Sequence, residues 1–125
     1  MTTESSVSGG QSGFILGSRI FFDTGAGWVQ GINGTAGRIE LDTRMTRVLA
    51  AFACSPFSLL SFEHLIRIAL DNGPVQGAHH ELSQIIRALR HALHNIDPSS
   101  IYIARIPRLG YALVAPVTEQ RIPGE

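Results

Sequence analysis

"IYIARIPRLGYALVAPV" occupies residues 101–117. Two short apolar runs flank Pro107-Arg108-Leu109-Gly110, and the stretch reads as a tight β-hairpin. Arg105 and Arg108 sit at or beside its bend. An arginine pair there is either solubility decoration or a finger aimed at something negative. The residues upstream decide between the two.

Residues 14–41 read as an antiparallel β-meander. Phe14–Leu16, Arg19–Asp23, Trp28–Ile32 and Gly37–Leu41 are short apolar-rich runs. Gly25-Ala26-Gly27 and Asn33-Gly34 separate three of them, and Asn-Gly is a favoured two-residue hairpin turn. From Asp42 the period changes. Met45, Val48, Leu49 and Phe52 form a helical stripe, with Asp42 or Thr43 as cap and Ser55-Pro56 as stop. A second helix starts at Ser61 as N-cap, with Phe62, Leu65, Ile66, Ala69 and Leu70 as its stripe, and Asp71-Asn72-Gly73-Pro74 ends it. A third, longer helix runs from about His79 to about Asn95, with Leu82, Ile86, Leu89 and Leu93 inward. The hairpin follows, with Ile101, Ile103, Tyr111 and Leu113 expected to face the body.

The third helix has a distinctive second face. His80, Gln84, Arg87, His91 and His94 recur at spacings of four and three, flanked by Ser83 and Arg90. No acid interrupts the five central positions, whereas a solvated face usually mixes both signs. Arginine forks onto guanine, glutamine onto adenine, and serine onto phosphate. A helix, a turn, a second helix, a donor-rich third helix and a two-stranded wing make a winged helix-turn-helix. In that arrangement the long helix enters the major groove and the wing reaches phosphate or the minor groove. The fold class is therefore α+β: an N-terminal meander, three helices and a C-terminal hairpin wing. Residues 14–117 form the domain, with tails at 1–13 and 118–125. The first of these, rich in Ser, Gly and Thr, is expected to be disordered.

Bulk properties fit one neutral domain. The 125 residues carry ten arginines, no lysine, and ten acids. The charge is unevenly placed: residues 79–116 hold four arginines against two acids, and residues 1–41 hold two against three. Uniform arginine also follows from genome composition alone. Cys54 is the only cysteine, so no intrachain disulfide forms, and its apolar run places it in the core. No stretch is long and apolar enough to be a membrane span, and "MTTESSVSGGQSG" lacks the marks of a signal peptide. No enzyme is expected. There is no phosphate loop and no useful carboxylate pair, and "GQSGF" at 10–14 has the wrong order for a nucleophile elbow. Trp28 reads as core or strand surface. The histidines lack the cysteine or carboxylate partners of a zinc site, so neither metal nor cofactor is expected.

With these pieces in order, the chain resembles the winged-helix DNA-binding domain of the OmpR/PhoB type, in the branch of CadC- and ToxR-like transcription activators. The resemblance runs from about Phe14 to Val117. "RIEL" at 38–41 is similar to the strand that closes the N-terminal sheet. "SFEHLIRIAL" at 61–70 is similar to the second helix. "LSQIIRALRHAL" at 82–93 resembles the recognition helix with its Leu-Arg-x-x-Leu signature. The Pro-basic-x-Gly-Tyr order of the hairpin resembles the wing.

The resemblance implies a bacterial, cytoplasmic, sequence-specific transcription regulator that binds promoter duplex DNA as a homodimer or as tandem protomers. RNA polymerase or a co-regulator would be a further partner, and no small-molecule substrate is implied. By position, Ser83, Gln84 and Arg87 match base- or phosphate-facing sites. Arg90 matches a residue that touches the DNA backbone or braces the helix. Arg108 matches the wing tip, and Tyr111 matches the aromatic that packs the wing. The full set expected on DNA is His80, Ser83, Gln84, Arg87, Arg90, His91, Arg105 and Arg108.

Several positions depart from the family pattern. Leu109 and Ala112 stand where basic residues are common, Leu70 stands near an expected tryptophan, and "DTRMTRVLAAF" lacks the usual early acid. Phosphate contacts dominate affinity, so one protomer should bind weakly and pairing should compensate. The rival reading is a degenerate winged helix that serves as a protein-interaction module, an anti-activator or co-regulator, without its own DNA binding. No receiver domain or phospho-acceptor aspartate is expected ahead of residue 14. Relatives of the CadC type continue through a membrane helix into a sensor. The chain is accordingly expected to be either an excised domain, the cytoplasmic part of a membrane-tethered regulator, or a small stand-alone one.

Overall fold

Alternation in the N-terminal strands sets which side of the meander meets the helices. The computed structural model describes residues 12–32, 37–70 and 76–121. Strands β1 (Ser12–Leu16), β2 (Ile20–Asp23), β3 (Trp28–Gly31) and β4 (Ile39–Glu40) pair antiparallel in sequence order. The register sets Leu16 against Ile20 and Phe22 against Val29, and all four are fully buried. The expected Gly25-Ala26-Gly27 turn is present. Asp23 accepts from the amides of Ala26 and Gly27, and Gly27 takes a positive φ of 77°. The expected Asn33-Gly34 turn lies outside the described residues, as do the tail through residue 11 and the Asp71–Pro74 stop.

Three helices follow: α1 (Thr43–Cys54), α2 (Phe62–Leu70) and α3 (Ala78–Ile96). Asp42 caps α1 by accepting from the Met45 amide at 2.8 Å, and Ser61 caps α2 by accepting from the His64 amide at 3.1 Å. The stripes meet as anticipated. Val48, Leu49 and Phe52 of α1, Leu65 and Ile66 of α2, and Leu82, Ile86, Leu89 and Leu93 of α3 form one core with the sheet. An ion pair between Arg44 and Glu81 at 3.0 Å ties the start of α1 to the first turn of α3. Cys54 is a correction: it is exposed, not core. The inward arc of α1 ends at Ala53, and one further residue turns the side chain 100° away.

A second antiparallel sheet is built from β5 (Leu60–Ser61), β6 (Ile103–Ile106) and β7 (Gly110–Leu113), in the order β5-β7-β6. The hairpin is therefore real, but its inner strand is central. All four residues of β7 are buried, Ala112 among them. Gly110 is needed here because a Cβ would overlap the Leu60 carbonyl of β5. The hairpin's inward side also needs one correction. Ile103, Tyr111 and Leu113 face the body, but Ile101 is 77% exposed. The strand begins only at Ile103, and Tyr102 is drawn inward instead by a hydrogen bond to Asp97.

The tail expected from 118 begins as structure. Strand β8 (Val117–Arg121) pairs antiparallel with β1 and makes the N-terminal sheet five-stranded, β4-β3-β2-β1-β8. At the other end, Ser12 and Gly13 belong to β1. Among the described residues, no helix is long and apolar enough to cross a membrane.

Candidate nucleic-acid interface

Helix α3 buries one face completely and exposes the other. Leu82, Ile85, Ile86, Leu89, Ala92 and Leu93 are buried, whereas His80, Ser83, Gln84, Arg87, Arg90, His91 and His94 are exposed. The period of 3.6 separates the two sets cleanly. His80 and Gln84 lie side by side, 3.4 Å apart. The acid of the first turn, Glu81, is engaged by Arg44 at 3.0 Å. Among the described residues, no carboxylate lies within ion-pair reach of Arg87, Arg105 or Arg108. The exposed face of α3 is thus a run of donors.

Towards the C-terminal half of α3, the helix and the segment leading into β6 enclose a groove of about 350 Å³. Arg87, Arg90, His91 and His94 line one wall, and Ser100 to Ile103 line the other. Arg90 joins the two walls. Its Nε donates to the Ile103 carbonyl at 3.1 Å, and its guanidinium lies 5.7 Å from the Tyr111 ring centre. Arg90 therefore links α3 to the first residue of β6. Among the described residues, no cluster of three or more His, Cys, Asp or Glu gathers as a metal site.

The wing tip is a braced turn. The Leu109 amide donates to the Ile106 carbonyl at 3.0 Å, and the Leu109 carbonyl accepts from the Phe62 amide at 3.2 Å. Pro107 and a positive φ of 70° at Arg108 give the turn a type II pattern, in which glycine or asparagine is favoured at the second central position. Holding arginine there costs about 1–2 kcal/mol of backbone strain. Arg108 and Leu109 both point to solvent. Arg105 projects from β6, with its guanidinium 6.0 Å from the Phe62 ring centre.

Two parts of this surface were missed in the sequence. The first is Phe62, which had read only as one member of a helical stripe. Its ring packs edge-on to Tyr111 of the wing at 5.6 Å and to His79 of α3 at 5.7 Å, so it joins three elements at one point. An aromatic at the first helical position, directly after the cap, was the available signal. The second is the Asp97 cluster at the end of α3. Asp97 is 4% exposed and accepts from the Ser99 and Tyr102 hydroxyls, each at 2.6 Å, with Arg19 of the β1–β2 turn 4.0 Å away. The Ser99 and Tyr102 hydrogen bonds hold the Asp97 carboxyl below its ordinary range against the opposing effect of burial. Burial, followed by the bond to Asp97, pushes the Tyr102 hydroxyl up. The cluster fixes where the chain leaves α3 and enters the wing.

Solved structures share this arrangement. The DNA-binding domain of CadC from E. coli superposes with a TM-score of 0.74 at 26% identity, covering 87% of this chain and 97% of that one. The fold is the OmpR/PhoB-type winged helix. The DNA-binding domain of CpxR from E. coli matches at TM-score 0.64 and 19% identity, over 77% of this chain and 90% of that one. The DNA-binding domain of the response regulator AdeR, solved in complex with an intercistronic region, matches at 0.62 and 13%, over 77% and 94%. These last two establish the fold alone. No protein-family model and no curated protein matches the sequence. The eight residues expected on DNA all lie at the surface, six on α3 and two on the wing.

Proposed function

We propose that this domain is a transcription regulator that binds duplex DNA sequence-specifically, with α3 in the major groove and the wing on phosphate and the minor groove. The observation that carries the reading is the exposed face of α3, free of unpaired acid, beside a braced wing bearing Arg105 and Arg108. Ser83, Gln84 and Arg87 are the base- and phosphate-reading positions, His80 and His91 extend the face, and Arg90 holds the wing in place. The DNA-binding identity of the CadC domain, at 26% identity, supports it. Few phosphate contacts per protomer favour pairing on repeated half-sites. The action is cytoplasmic, where promoter DNA and RNA polymerase are.

An electrophoretic shift on promoter DNA tests this. Arg87→Ala should weaken a specific complex by about 1–3 kcal/mol if it reads a base. Arg108→Ala should weaken binding on all sequences and lower the salt slope by about one. No shift by the wild type at low salt overturns the reading. The rival, a protein-interaction module, draws support from the exposed Phe57, Leu59 and Val114 beyond the wing's inner end. A clean partner pulldown with no DNA shift would favour it.

A further inference from the structure

The wing tip carries an apolar side chain where a charge would serve a phosphate. Leu109 is 53% exposed, yet both of its backbone polar groups are committed, the amide to Ile106 and the carbonyl to Phe62. The side chain is held outward by a fixed turn and does not project from a loose loop. Its neighbour Arg108 occupies a left-handed conformation that glycine would hold without strain. The turn accepts that strain and presents a cation and an isobutyl group together.

The surroundings restrict the partner. Residues 101–116 contain no acid, and Arg105 and Arg108 have no carboxylate in reach among the described residues. The partner is therefore anionic, and it must also offer an apolar surface within one side chain of its anionic groups. The minor groove meets both conditions. Its sugar walls are apolar, its potential is negative where it is narrow, and its base steps open to apolar wedges.

Resting on the DNA reading above, we propose that Leu109 is a minor-groove wedge. It partly unstacks one base step beside Arg108, bends the duplex, and gives the domain a preference for deformable A·T-rich flanks. Pyrimidine–purine steps such as TA open at least expense, and G·C pairs place an amino group in the groove floor. The specificity at this end of the site then comes from deformability and not from base hydrogen bonds.

The test uses two end-labelled duplexes that share a core selected by the wild type from a randomised pool. They differ only in the wing flank, 5′-TTAA or 5′-GGCC. Affinity is read by anisotropy and bending by end-to-end energy transfer. The wild type should prefer the TTAA duplex and bend it. Leu109→Ala and Leu109→Gln should lose about tenfold on TTAA, lose little on GGCC, reduce the bend, and leave the salt slope unchanged because no charge is removed. Leu109 is exposed, so both variants should fold, and an unchanged melting temperature confirms it. If the wild type binds both duplexes equally, or if both variants bind and bend TTAA as the wild type does, the wedge is overturned while the DNA reading stands. If the wild type binds neither duplex at low salt, the DNA reading falls and the wedge falls with it.

Discussion

Single residues at the wing show strain and fit being traded against function. Arg108 holds a left-handed backbone that costs about 1–2 kcal/mol. Arg108→Gly should therefore raise stability by up to about 1 kcal/mol after the added chain entropy of glycine. It should also weaken DNA binding, so the urea midpoint and the affinity should move in opposite directions. Gly110 behaves differently. Gly110→Ala drives a Cβ into the Leu60 carbonyl and should destabilise by more than about 2 kcal/mol through loss of the β5–β7 pairing, read by the same urea titration. The Pro-Arg-Leu-Gly-Tyr order was legible in the sequence because each of its turn and packing residues has a local reason. Cys54 and Ile101 point outward against expectation, since Cys54 closes α1 one residue past its buried arc and Ile101 precedes the first residue of β6.

Between elements, the joints matter more than the pieces. The stripes of α1, α2 and α3 were legible because each repeats at 3.6 residues. The two-residue strand β5 and the edge strand β8 were not, since pairing with β7 and β1 makes them strands and no local pattern announces a partner. Phe62 and Asp97 escaped for the same reason: their roles lie in contacts between elements. Phe62→Leu keeps a core-sized side chain but loses the edge contacts to His79 and Tyr111, about 1–2 kcal/mol in thermal unfolding. It should also loosen the wing relative to α3, so that hydroxyl-radical footprints lose the wing's protection before that of the helix.

Asp97 gives the fold a pH signature. Its carboxyl is lowered in the folded state, so its contribution is present above the unfolded value near 3.9 and is lost as pH falls through the lower folded value. Tyr102 is raised, so its contribution is present below the ordinary tyrosine range near 10 and fades in stronger alkali. Asp97→Asn should flatten the acid limb of a stability-versus-pH curve while leaving the helical signal at neutral pH intact.

Over the whole molecule, neutrality hides segregation. Ten arginines balance ten acids, but α3 and the wing hold four arginines against two acids, and Glu81 and Asp97 are both engaged within the fold. The net positive surface is small, and a protomer alone should hold DNA loosely, with a shallow salt slope because few phosphates are neutralised. In the proposed function specificity rests on the α3 face, and the most direct test is selection from a randomised duplex pool. At low salt the wild type should enrich a motif, and the Arg87→Ala, Arg108→Ala double variant should enrich none. Recovery of no duplex above background by the wild type would contradict the account.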